Sequence, residues 1–462
     1  MNQSHSSIAT LESSINILVQ YLDANQATVR PLAEVEQHIF GLVQTIGQAA
    51  LARYVASCGT GDQGEVVIDV EGHRRRRHGI RSRSYRSLFG PVAIARMYYY
   101  EPFNGGMAPL DAALSLPERS YSYPLQALVV RQAAIGAYDE GRDTLEKLLG
   151  RRVPKAVAEE IVAEQAVHVR DFQTALAAPT GEGSVLVIQV DGKGVRMVVP
   201  KAEKVRGPRI RAKVARRTGT KKMAVVFTLY TIEPEAGCPP VPLNRKVYAF
   251  IGTKKEAFAW LLGEATKRGY GTKKTLFLSD GDPDLADLQT TLFPEATPCL
   301  DWIHGVEHLW DAARLLLPEG SQAARDWVKE REDRLLAGLV TGVIRGLKQI
   351  LTKRKRSMKK AAREELADII GYLARNEERM PYKEFFEAGY PFASGSVEGA
   401  CRHLVADRME RTGMRWKKPG AQAVLHVRSV HLNGEMADFQ IYHAKREQER
   451  LYGVKPRLRD TA

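Results

Sequence analysis

SVLVIQVDGKGVRMVV, residues 184–199, is a run of β-branched and aliphatic residues interrupted by Asp191-Gly192. Its apolar positions are continuous rather than alternating, which predicts a strand buried on both faces. Comparable runs follow at MAVVFTLYTI (223–232) and RKVYAFIG (245–252). The pattern then switches to a helix, KKEAFAWLLGEATKRG (254–269), and back to a strand, TLFLSDG (275–281). A short helix around 284–292, a strand TPCLDWI (297–303) and a helix from about 304 complete the series. Strands alternating with helices predict a layered α/β sheet.

From about 305 to 390 the chain is helical and charged, with no strand candidate. It leads into SGSVEGACRHLVADRMERTGMRW (394–416), a late helix with Ser394 and Ser396 at its head and Glu398 in its first turn. Three strands, then helix, strand, helix, strand and helix, with this late helix, is the order of an RNase H-like mixed sheet carrying a helical insertion. Upstream, apolar spacing predicts helices within 1–58 and short strands around an arginine cluster within 64–100. The segment 137–166, AYDEGRDTLEKLLGRRVPKAVAEEIVAEQA, has the form of a helix-turn-helix. The expected divisions are 1–115 (helices and a small β region), 116–180 (helix-turn-helix-like), 181–304 (first part of the core), 305–390 (insertion), 391–435 (last core helices) and 436–462 (a basic tail).

The chain has 68 Lys and Arg against 54 Asp and Glu, a net charge of +14. The excess is clustered at 73–86, 201–222, 353–360 and 402–418. Such clusters are the electrostatic footprint of a polyanion, and they predict a nucleic-acid partner. No apolar run is long enough to span a membrane. The N-terminus does not read as a signal peptide. Cys58, Cys238, Cys299 and Cys401 have no paired spacing, which fits a reducing cytoplasm better than a disulfide framework.

Asp191 and Asp280 each fall at the end of a strand run. Carboxylates brought side by side raise each other's pKa unless a cation lies between them, and their hard oxygens suit Mg²⁺ or Mn²⁺. Glu398 borders the stripe formed by Val397, Ala400, Cys401, Leu404 and Val405, and so faces along the sheet surface as a third acid. Two ions held by three carboxylates activate an attacking oxygen and stabilise a leaving one in phosphoryl transfer. Each acid also has a plainer reading. Asp191-Gly192 is a hairpin-turn signal, Asp280 competes with Asp282 and Asp284 for the role, and Glu398 is spaced to pair with Arg402 on one helix face. Cys299, His304 and His308 have a loose zinc-like spacing that is equally compatible with packing.

The segments VDGKGVRM (190–197), KKMAVVFTLYTIEP (221–234), LSDGDPDL (278–285), CLDWIHGVEHLWDAA (299–313) and YPFASGSVEGACRHLVADRMERTGMRWKKPGAQAVLHVRS (390–429) resemble bacterial insertion-sequence transposases of the ISKra type, akin to Mutator-like elements. The resemblance covers roughly 120–440. It implies a DDE catalytic core with Asp191, Asp280 and Glu398 as catalytic and metal-binding triad, two Mg²⁺ or Mn²⁺ ions per site, and Asp301 and His304 in support. The Cys pairs that relatives often carry after the N-terminal strands are absent here, so no zinc ribbon is expected.

The expected activity is therefore cleavage at transposon ends and strand transfer. Its partners would be double-stranded DNA, as terminal inverted repeats and target, and at least one further copy of the chain. Arg402, His403, Arg408, Arg411, Arg415, Lys417, Lys353 and Arg354 are the expected DNA contacts. A structure-specific nuclease or resolvase, and a non-catalytic DNA-binding regulator, are the rival readings.

Overall fold

The computed structural model describes residues 2–24, 29–69, 72–198 and 221–453. The basic cluster at 201–222 therefore lies outside the described residues except for Lys221 and Lys222, as does the tail from 454. The chain forms mixed α/β structure in two compact units, Val169–Glu435 and a unit made of Met1–His168 with Met436–Ala462.

In the N-terminal unit, helices Asn2–Ala24 and Leu32–Ser57 precede a four-stranded antiparallel sheet. Its strands are β1 (Val66–Ile68), β2 (Arg74–Arg86), β3 (Pro91–Glu101) and β4 (Gly105–Met107). The first arginine cluster is thus itself a 13-residue strand, not a loop between short ones. Alternation makes this possible: Arg75 turns inward onto Asp69, while Arg74 and Arg76 point to solvent. Helices Tyr138–Leu149 and Lys155–Ala166 form the expected helix pair, with Gly150 in the left-handed conformation between them. The second of these, the would-be reading helix, exposes Glu159, Glu160 and Glu164. Arg119 pairs with Glu160 and Glu164 at 2.9 and 2.6 Å. That acidic face is a poor match for phosphate. The segment expected as a basic tail is instead helix Met436–Tyr452, and the division expected near 180 falls at 168.

In the second unit, a five-stranded sheet comprises β5 (Val185–Arg196), β6 (Lys221–Ile232), β7 (Leu243–Phe250), β8 (Lys274–Ser279) and β9 (Thr297–Leu300). Their order is β7-β6-β5-β8-β9, with β5, β6 and β7 antiparallel and β5, β8 and β9 parallel. β5 runs without a break through Asp191, which stands opposite Val226, so Asp191-Gly192 is not a hairpin turn. The strand's two faces serve two cores. Leu186, Ile188 and Val190 pack with Phe258 and Leu261 of helix Lys254–Lys267 and with Leu285 of helix Pro283–Leu292. Val185 and Val187 pack with Leu309, Leu347 and Leu366.

Those last residues belong to the expected insertion. It is helical, with Trp302–Leu316, Gln322–Leu336, Val340–Lys353, Lys360–Arg375 and Tyr382–Glu387. It is not a module beside the sheet, because its apolar residues complete the core on one sheet face. The late helix Gly395–Ala400 continues as a π-helical turn, Cys401–Ala406, before Asp407–Met409 and Lys418–Leu432. Among the described residues no helix is long and apolar enough to cross a membrane, and the cysteines are free.

Candidate carboxylate site on the sheet

β5 and β8 are parallel neighbours, and their pairing reaches Val190 opposite Ser279. The next residues are Asp191 and Asp280, so the register brings the two acids to adjacent positions. Period two puts Asp191 on the face of Val185 and Val187, and Asp280 on that of Leu276 and Leu278. These apolar residues share one core, so both acids belong to the same sheet face. Asp280 is held above the ordinary carboxylate range first by burial and then by the Asp191 charge, against the pull of the Asp282 N–H donated to it at 3.1 Å. Asp191 accepts the Gly192 N–H at 2.6 Å and the Cys401 thiol at 3.2 Å.

The rival acids have other tasks. Asp282 caps helix Pro283–Leu292 by accepting from Asp284 and Leu285, and Lys254 bridges Asp282 and Asp284 at 2.6 and 3.0 Å. Asp280 is the acid left facing Asp191.

Asp301 follows β9 and is 1% exposed. As N-cap of helix Trp302–Leu316, one oxygen accepts the His304 N–H at 3.1 Å and lies 2.6 Å from the His304 Nδ1. The other accepts the Ser394 N–H at 2.5 Å. Chiefly through the Asp301 bond, and further through Asp191 and Asp280, His304 is raised to about 9 against the opposing effect of burial. It therefore sits beside the acids as a cation at neutral pH. Cys299, in contrast, is fully buried with its thiol on the Leu300 carbonyl, so the zinc-like set of Cys299, His304 and His308 does not form.

Glu398 lies half-buried on the helix over this face and accepts the Ser394 hydroxyl at 2.9 Å. It does not take Arg402, whose Nε lies 4.0 Å from Asp407. Two fixtures hold its helix. Ser394, just before it, is tied to Asp301. Gln189, two residues before Asp191 on the same face, accepts the Val397 N–H at 3.1 Å and donates to the Ala393 carbonyl at 3.2 Å and the Tyr230 hydroxyl at 3.0 Å. Burial and the charges of Asp191 and Glu398 push the Cys401 thiol up, which puts Cys401 in the field of both acids.

The expected insertion also reaches the site. Arg379 donates to the Ser279 hydroxyl at 2.6 Å. The Tyr372 ring lies so close to Gly281 that a Cβ there would stand 2.2 Å from it.

The site roles of Gln189 and Tyr372, and the bond of Ser394 to Asp301, were not anticipated from the sequence. Stepping by two from Asp191 along β5 finds Gln189; no comparable signal marks the others.

Of the expected DNA contacts, Arg402, His403, Arg411, Arg415, Lys417, Lys353 and Arg354 are exposed. Arg408 is the correction: it is 0% exposed, its guanidinium stacked on Trp416 at 5.0 Å, so it does not present itself to a phosphate. Trp416 in turn pairs with the end of β5, its N–H donated to the Arg196 carbonyl at 3.0 Å and its carbonyl accepting the Val198 N–H at 2.8 Å. Trp416 thus lies beside the end of the strand that carries Asp191.

Asp191 and Asp280 offer hard oxygens that repel each other, the donor chemistry that suits a divalent cation. Among the described residues, no group of three His, Cys, Asp or Glu side chains is disposed to hold a metal ion, and Glu398 rests on Ser394 instead. The chain matches no protein-family model and no curated protein.

Proposed function

We propose that the protein is a DNA transposase with an RNase H-like core, cutting at transposon ends and joining strands by a DDE mechanism. The observation that carries this reading is the adjacency of Asp191 and Asp280 across parallel strands, with Glu398 on a helix fastened to the same sheet face. The strand order β7-β6-β5-β8-β9 supports the RNase H-like assignment. Asp191, Asp280 and Glu398 would hold Mg²⁺ or Mn²⁺. Bound there, the ions would offset the carboxylate repulsion and activate the attacking oxygen.

The chain's own residues do the positioning. Gln189 and Asp301 fix the Glu398 helix against β5. His304, cationic and oriented by Asp301, offsets part of the negative charge when a scissile phosphate approaches. Exposed Arg402, Arg411, Arg415 and Lys417 bind the DNA backbone on either side, with no base contact required. A site of this kind accelerates reaction by positioning and charge stabilisation. Two transposon ends joined in one event require at least two copies of the chain.

The test is incubation of the purified protein with Mg²⁺ and duplexes bearing the inverted repeats that flank its gene. Cutting followed by joining supports the transposase. Cutting without joining assigns a nuclease or resolvase, and binding without cutting assigns a regulator.

A further inference from the structure

The β2–β3 hairpin carries a surface that the carboxylate site does not use. On β3, Val92 and Ile94 are buried in a core shared with Val55 of helix Leu32–Ser57. By the period of two, Tyr98 and Tyr100 continue that face toward the far end of the strand, where Tyr100 is 40% exposed. A bulge between Arg77 and Gly79 sets His78 between these two rings. The His78 ring meets Tyr100 edge-to-face at 5.9 Å and Tyr98 at 6.2 Å. The Arg81 guanidinium lies 3.8 Å over the Tyr98 ring. Tyr100, His78, Tyr98 and Arg81 therefore form a chain of edge-to-face and cation–π contacts at the end of this sheet face, where Tyr100 is open to solvent.

Among the described residues, the arginines of β2 and its neighbours divide into paired and unpaired. Arg75, Arg77 and Arg83 are neutralised by Asp69, Asp62 and Asp111. Arg74, Arg76 and Arg81 are exposed and have no acidic partner among the described residues. Arg76 stands directly opposite Tyr100. A partner complementary to this face must bring negative charge at regular intervals and flat groups to lie on the rings. Duplex DNA supplies the charge but hides its base faces within the stack. A single strand supplies both.

We propose that the exposed end of this β2–β3 face binds single-stranded nucleic acid, with an unpaired base stacked on Tyr100, whose ring is held by His78, and phosphates held by Arg74, Arg76 and Arg81. The proposal stands apart from the carboxylate site, and a failure to cut DNA does not bear on it.

The test is fluorescence anisotropy of the full chain in EDTA with oligodeoxythymidine and oligouridine about 15 nucleotides long, each against a duplex of the same length. Single strands are expected to bind more tightly than the duplex, and the tighter of the two identifies DNA or RNA as the ligand. Tyr100→Ala, checked for folding by circular dichroism, is expected to weaken binding about tenfold or more, while Tyr100→Phe, which keeps the ring, stays within about twofold. Replacing Arg76 and Arg81 with Gln is expected to flatten the dependence of log Kd on log salt by roughly 0.7 for each phosphate no longer neutralised. A 2-aminopurine within the strand is expected to be quenched by the wild type and not by Tyr100→Ala. A folded Tyr100→Ala protein that binds and quenches like wild type, or a duplex held as tightly as the single strand, overturns the proposal.

Discussion

Gln189 and Val397 lie 208 residues apart in sequence, and the side-chain carbonyl of the first accepts the backbone N–H of the second at 3.1 Å. This bond couples the strand that carries Asp191 to the helix that carries Glu398. Gln189 and Val397 are each 1% exposed, so neither has water as an alternative. Gln189→Leu keeps the volume but strands the buried Val397 N–H and removes the ties to the Ala393 carbonyl and the Tyr230 hydroxyl. The expected loss is on the order of 3 kcal/mol in urea unfolding, since each buried unsatisfied group costs about 1–3 kcal/mol. A variant as stable as wild type would show that the Glu398 helix is held by other contacts.

The repulsion between Asp191 and Asp280 has a measurable sign. The folded protein binds the Asp280 proton more tightly than the unfolded chain does, because burial and Asp191 raise its pKa. Its contribution is therefore present below the ordinary carboxylate range and is lost as pH rises through the raised value. At pH 7 without metal, Asp191→Asn is expected to stabilise the fold by up to about 1 kcal/mol. Mg²⁺ is expected to raise the Tm of the wild type by binding the folded state, and to raise that of the variant far less. Equal Mg²⁺ responses in thermal melts would exclude Asp191 as a ligand.

His304 titrates in the opposite direction from a paired acid. Its folded pKa, about 9, lies above the ordinary histidine value. The stability it contributes is complete below about 6.5 and fades as pH rises through about 9. His304→Asn is thus expected to cost on the order of 1–2 kcal/mol at pH 6, allowing for screening by solvent at this partly open position, and less at pH 10. In an NMR titration the His304 midpoint is expected to fall toward the ordinary value in Asp301→Asn. A midpoint indifferent to Asp301 would remove the basis for His304 as a resident cation.

The elements that positioned the acids were legible because burial on both faces leaves a continuous apolar run, as in VLVIQV ahead of Asp191. Asp191-Gly192 also matched a turn; the pairing with β6, where Asp191 stands opposite Val226, keeps the strand straight. The fixtures were not legible. Gln189 resembles a polar interruption in a strand, and its partners on the Glu398 helix have no local signature. Arg408 shows the reverse error. Stepping by four from Leu404 reaches Arg408, so the helical period placed it on the buried stripe while its charge argued for solvent. The period prevailed because Trp416 and Met414 cover the guanidinium.

Arginines of the late helix should therefore separate into two classes. Arg408→Ala is expected to cost about 1–3 kcal/mol of stability, because its packing and its cation–π stack on Trp416 both disappear. Arg411→Ala and Arg415→Ala are expected to weaken DNA binding regardless of sequence, lowering the salt slope by about 0.9 for each phosphate no longer neutralised. Neutralising Lys353, Arg354, Lys355 and Arg356 together should flatten the slope further. An unchanged slope would remove the end of helix Val340–Lys353 from the DNA path.

The most direct measurement is single-turnover cutting and joining of end-bearing DNA by Glu398→Gln, beside Asp191→Asn, Asp280→Asn and the exposed control Glu410→Gln. Glu398→Gln keeps size and helix propensity while removing the charge. All three site variants are expected to fold and to bind DNA like wild type, with chemistry reduced by about 10³-fold or more, and combining them should add little because they act as one unit. Glu410→Gln is expected to cut and join normally. A folded Glu398→Gln protein that cuts and joins at a near-normal rate would contradict the assignment.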